Sequence, residues 1–193
     1  MKREDKKAET RQRIIEAACE LMLKNGIQKT SVKEISDGAG ISLVTLYKYF
    51  KTKEQITEEF VIKLFDQEMI MPKQGQANSE LPFIELFAMY SRGSALARRD
   101  VRPEVLMEVS NVIQSSERVK DYIKKRSHAF WQQMIDYGRN RGEIRSDVPD
   151  SVIQMQFAMM ADFITRARPE PVSDQEIQQL ESLMMYGLAG KQK

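Results

Sequence analysis

Between residues 43 and 53 the chain reads LVTLYKYFKTK, an interleaving of small apolar, hydroxyl and basic side chains. Lysine donates to guanine O6 and N7, while small apolar groups and threonine methyls meet thymine methyls. Leu43, Val44, Thr45 and Lys48 therefore have the side chains to meet base edges. Tyr47 and Tyr49 carry hydroxyls suited to phosphate, and Lys53 offers an ammonium where the next helix should begin. Core packing competes for both tyrosines, Tyr49 above all, and Lys51 reads as solvated charge.

Such groups act together only if short elements hold them on one face. Upstream, Ser31 and Glu34 have capping-box spacing, which starts a helix just after Ser31, and Val32, Ile35 and Ala39 give it an apolar face. Gly38 and Gly40 end it, Ile41 plugs the turn, and Ser42 caps a second helix that buries Leu46 and Phe50. Two short helices joined by a tight glycine turn form a helix-turn-helix, a DNA-reading unit. The bare pattern also fits a helical hairpin inside a core.

The run ISLVTLYKYFKTKEQI narrows that choice. Ile41, Ser42, Thr45, Leu46, Tyr47, Tyr49, Phe50, Lys53 and Glu54 resemble the signature of the TetR (tetracycline-repressor) family of bacterial regulators, and the resemblance covers about the first third of the chain. Val44 stands where that family usually has glycine or proline, and Ser36 replaces a usual alanine. The resemblance implies that Lys33 and Ser42 join the DNA-contacting set. It also implies a helix linking head to body and dimers built on a four-helix bundle from the last two helices. Finally, it implies an effector pocket, whose expected wall is the aromatic and Met-rich set Phe83, Phe87, Tyr90, Met107, Phe130, Trp131, Met134, Phe157 and Met160.

The expected architecture is all-α. A DNA-binding domain takes residues 1–53, and a ligand-binding and dimerisation domain takes 54–193, with 54–71 as the connecting helix. Residues 1–8 are expected to fray, with a first helix from Thr10 to Lys24. PKQGQANSELP, from Pro72 to Pro82, reads as a connector. Body helices are expected over Phe83–Arg98, Pro103–Ser115, Glu117–Arg141, Asp150–Ala167 and Ser173–Ala189. In the next-to-last helix Val152, Met155, Met159 and Phe163 form one stripe, and Ile153, Phe157, Met160 and Ile164 another. A helix apolar on two sides needs two partners, so the first stripe is assigned to the body core and the second to a second copy of the chain.

Composition narrows the function classes. Of 193 residues, 41% are hydrophobic and 30% charged, with mean hydropathy −0.49 and no long apolar run, so no membrane span is expected. MKREDKKAE lacks the apolar stretch of a signal peptide, and a lone cysteine suits the cytoplasm. Cys19 reads as a packed small hydrophobe. Residues 1–53 carry 12 basic against 7 acidic side chains, the remainder 18 against 21, which is a basic head on a mildly acidic body. His128 is the only histidine, so a His-rich metal site is impossible, and it reads as a surface residue. Glu104 and Glu108 lie one turn apart without the Glu-x-x-His of a di-iron bundle, and no phosphate-binding glycine loop occurs.

No catalytic residue, metal or cofactor is therefore assigned. The Arg92, Arg98, Arg99 and Arg102 group reads as a solvated hinge or an anion site. Asp162, in FAMMADFI, either pairs with Arg166 or faces the pocket to balance a cationic effector. The expected partners are double-stranded DNA, a second copy of the chain and a small hydrophobic effector. The expected role is a one-component regulator, a repressor. A structural DNA-binding protein without an effector and a helical enzyme are the alternatives.

Overall fold

A computed structural model describes residues 3–68, 81–90, 101–165 and 173–189, excluding the side chains of Arg3, Glu68, residues 161–165 and Asp174. Nine helices and no strand occur among the described residues. They are α1 (Arg3–Asn25), α2 (Val32–Gly38), α3 (Leu43–Tyr49), α4 (Lys53–Glu68), α5 (83–90), α6 (Pro103–Ser115), α7 (Glu117–Asn140), α8 (Asp150–Thr165) and α9 (Asp174–Ala189). Most of the expected connector, Arg92, Arg98, Arg99 and Arg166, and the side chains of Asp162, Phe163 and Ile164 lie outside the described residues.

The chain forms two compact units, Met1–Glu68 with Arg99–Ile123, and Met69–Arg98 with Lys124–Lys193. This division differs from the functional boundary expected at residue 53, because α4, α6 and the start of α7 pack with the head.

In the first unit α1 starts at Arg3 rather than Thr10. Glu4 and Asp5 occupy its first turn, where carboxylates offset the partial positive charge of unpaired N–H groups. Ile14, Ala18 and Met22 of α1 are buried with Ile35 of α2, Leu46 and Phe50 at α3, and Ile56 and Phe60 of α4. Val105 of α6 and Val119 of α7 complete this core. Cys19 packs against it, and burial pushes its thiol up to about 11, as a small core hydrophobe requires. Three polar links fasten α4 to the start of α7. The Ser116 hydroxyl donates to Glu58 (2.6 Å), Arg118 pairs with Glu58 and Glu59, and the Tyr122 hydroxyl donates to Asp66 (2.7 Å).

The second unit is built on an aromatic core. Phe87 stacks on Phe157 with centroids 5.4 Å apart, Trp131 on Phe157 at 4.7 Å, and Tyr90 meets Phe130 at 4.6 Å. The Tyr137 hydroxyl donates to the Leu81 carbonyl (2.5 Å), and the Phe83 N–H donates to Glu143 (2.5 Å), fixing the entry to α5. At the start of α8 the Asp150 carboxylate accepts from Gln132 (2.8 Å) and Arg139 (2.6 Å). The Ser173 hydroxyl accepts the Glu176 N–H, and the Glu176 carboxylate accepts the Ser173 N–H, a capping box that starts α9.

The assignment of the two stripes on α8 is corrected. Ile153 and Phe157 are buried in the unit's own core and Met160 is half-buried. Val152 is exposed, and Met155 and Met159 are each 62% exposed. Both stripes are apolar, and periodicity alone carries no information on which one the aromatic helices α5 and α7 cover.

Candidate nucleic-acid interface

The helix-turn-helix is assembled by short-range bonds legible in the sequence. The Ser31 hydroxyl accepts the Glu34 N–H (3.1 Å) while the Glu34 carboxylate accepts the Ser31 N–H (2.7 Å), the expected capping box. That hydroxyl, then the backbone bond, hold the Glu34 carboxyl below its ordinary value, with a smaller contribution from the Lys53 charge. In the turn Gly40 has φ +63°, and the Ile41 N–H reaches the Ser36 carbonyl (3.0 Å). An added Cβ at Gly40 would stand 2.9 Å from an Arg13 guanidinium nitrogen, and Arg13 itself donates to the Ala39 carbonyl. The turn therefore favours glycine for its dihedral, while the space a Cβ would take is held only by the flexible end of the Arg13 side chain.

α3 starts at Ser42, whose hydroxyl oxygen accepts the Thr45 N–H (3.1 Å) and lies 2.9 Å from the Thr45 hydroxyl. Leu46 and Phe50 pin its inner side to the core, each burial being worth about 1.5–3 kcal/mol. Arg11 lies over the Phe50 ring at 5.1 Å. Leu43, Val44, Tyr47 and Lys48 are all exposed, and Val44, at 71%, is the most exposed of the three apolar members. Residues 43, 44, 47 and 48 share one helical face by their i, i+3 and i+4 spacing. A seven-residue helix thus presents apolar groups and an ammonium outward while its other side is anchored.

The remaining candidates divide. Lys33 is exposed on α2. Tyr49 is half-buried against the core, the packing role weighed for it above. Lys53 is half-buried at the start of α4, with its ammonium 3.3 Å from the Gln28 carbonyl. One group had no signal in the sequence. Glu108 of α6 reaches back 81 positions to accept the Ile27 N–H at 2.6 Å, and it also accepts the Gln28 N–H at 3.2 Å.

Of the expected effector residues, Phe83, Phe87, Phe130, Trp131, Met134 and Phe157 are buried in the second unit, and Tyr90 and Met160 are half-buried there. Met107 is corrected. It belongs to the first unit and is exposed on α6, so it is no member of this aromatic set. The N-terminal spacing of α6 places Val105 and Glu108 toward the head, which turns Met107 outward. His128 is exposed, as read from the sequence. Among the described residues no group of three or more His, Cys, Asp or Glu side chains is placed to hold a metal, and no helix is long and apolar enough to cross a membrane.

Residues 14–60 match the family model for bacterial regulatory proteins of the tetR family. The repressor KstR2 of Mycobacterium tuberculosis is 22% identical over 139 residues, covering 70% of this chain and 69% of the relative. A crystal structure of a TetR-family regulator from Mesorhizobium loti superposes with TM-score 0.69 at 21% identity, over 93% of this chain and 95% of the other. Thermus thermophilus FadR, a TetR-family repressor solved in complex with lauroyl-CoA, gives TM-score 0.67 at 17% identity over 95% and 97%. These likenesses establish the common fold over both units.

Proposed function

From the premise that this chain is a TetR-family transcriptional regulator, we propose that it is a cytoplasmic repressor that binds a near-palindromic operator as a homodimer and is released by a small hydrophobic effector. The observation that carries the reading is the outward face of α3. Apolar Leu43 and Val44 stand there beside Lys48 on a helix whose opposite side is locked into the core. Exposed apolar groups on so short a helix bring no stability to the free head, but they match the thymine methyls of a major groove. Lys33 of α2, Tyr47 and Lys53 contribute phosphate contacts that set register, and the basic balance of residues 1–53 favours that surface.

The pairing surface is proposed on the last two helices. Val152, Met155 and Met159 of α8 are exposed, and so are Leu183 and Tyr186 of α9. Large apolar side chains left in water on two neighbouring elements of sequence are the mark of an association surface. A second copy of the chain is the occupant, since a twofold dimer places two heads on two half-sites. The effector is proposed to bind among the rings of α5, α7 and α8, and the lauroyl-CoA and ketosteroid-related names of similar regulators support a hydrophobic ligand.

The test is selection of duplexes from a random-sequence pool by the full-length protein. The reading expects an inverted repeat with half-site centres about one helical turn or a multiple apart. Recovery of duplexes with no shared sequence would favour a structural DNA-binding protein instead.

A further inference from the structure

We propose that Glu108 is a positioning residue for DNA binding, acting through Gln28 on the ammonium of Lys53. The proposal rests on the reading of Lys53 as a phosphate contact. Gln28, in the turn between α1 and α2, is held from both sides by opposite charges. Its N–H is donated to the Glu108 carboxylate (3.2 Å), and its carbonyl accepts the Lys53 ammonium (3.3 Å). The second and shorter bond from Glu108, to the Ile27 N–H at 2.6 Å, fixes the carboxylate against rotation.

The turn is shaped to receive that carboxylate. Gly26 is buried with φ +95°, and an added Cβ there would lie 3.2 Å from Glu108 Oε2. The buried Thr30 hydroxyl donates to the Gly26 carbonyl (2.7 Å), tying the turn to the start of α2. With Glu108 removed, two turn N–H groups lose a charged acceptor, and the Gln28 carbonyl is free to swing. Lysine is a point charge on a flexible four-carbon stem, so its ammonium is placed only as well as its acceptor is placed. Glu108 stands on α6 and reaches the turn through its bonds to the Ile27 and Gln28 N–H groups.

The experiment is a double-mutant cycle in the full-length protein on a selected duplex. Dissociation constants are measured across a salt series, and a thermal melt fixes the folded fraction of each variant. Glu108→Ala is expected to weaken binding roughly tenfold, the size of one charge-assisted hydrogen bond, and to lower the salt slope by about one unit. Lys53→Ala should do the same, and the double variant should be no weaker than either single one. Lys33→Ala, outside this linkage, should add its loss in full. Should Glu108→Ala fail to fold, Glu108→Gln, which keeps the side chain's length and one acceptor, reads the same coupling.

A purely structural Glu108 would lower the melting temperature and leave the affinity and salt slope of the folded protein unchanged, which would overturn the proposal. Additive losses for Glu108 and Lys53 would overturn it as well. If the wild-type protein selects no duplex, the function itself fails. If it selects one and the cycle is additive, only the role of Glu108 fails.

Discussion

Val44, 71% exposed on α3, stands where the TetR family that the chain resembles usually carries glycine or proline. Its isopropyl group is too exposed to serve the core, so its proposed role is to meet a thymine methyl. Replacing single thymines by deoxyuridine in a selected operator removes that methyl and nothing else. At one position per half-site the substitution is expected to weaken wild-type binding about fourfold, the worth of one buried methyl group. Val44→Gly should bind both duplexes alike. Equal titrations of wild type on thymine and deoxyuridine operators at every position would remove Val44 from base reading. The exposed face of α3 was legible because capping and glycine signals confined it to a seven-residue helix. Glu108 was not, since a contact across 81 positions leaves no periodic trace and its own helix offered only a pair of glutamates.

At the scale of elements, the helices were legible wherever a cap or an apolar period marked them, and α6 follows the expected range, starting at Pro103. α1 was expected seven residues short because its first turns carry charge rather than an apolar face, and charge alone does not separate a solvated helix from a tail. The close fit of α7 against the segment that follows it was equally hidden. A Cβ at Gly138 would stand 2.6 Å from Ile144 Cδ1 and 3.1 Å from Phe83. Alanine normally favours a helix over glycine by about 1 kcal/mol. Here overpacking is expected to win, so Gly138→Ala should lose about 1–3 kcal/mol in chemical denaturation.

Acid offers a separate check on α8. A hydrogen bond from Gln132 above all, joined by the hydrogen bond and charge of Arg139, holds the Asp150 carboxyl below its ordinary value against the opposing effect of burial. A depressed carboxyl contributes stability above its unfolded value of about 3.9, and this is lost as pH falls through the folded value. Asp150→Asn should therefore narrow the stability gap to wild type as pH drops below 4 in pH-dependent melts. A gap that is constant with pH would show that the ionised form carries no stabilisation.

For the whole molecule, the corrected faces of α8 change which substitutions test the dimer. Phe157 is buried in the unit's own core, so arginine there should unfold that unit rather than separate two copies. Met159→Arg instead adds charge to the exposed stripe. It is expected to leave the helical signal and melting cooperativity in place while light scattering reports the monomer mass. Dimers persisting in Met159→Arg would move the pairing surface elsewhere. Which stripe faces inward was hidden in the sequence because it depends on where α5 and α7 lie, a tertiary fact with no local signal.

The most direct test of the central claim compares the affinity of the full-length protein for a selected operator with that for an unrelated duplex of equal length, across a salt series. Both should weaken with salt as counterions are released on phosphate contact. At physiological salt the operator should bind at least about a thousandfold more tightly, the margin of a sequence-specific reader. Equal affinity for the two duplexes at every salt concentration, or no binding to either, would contradict the account.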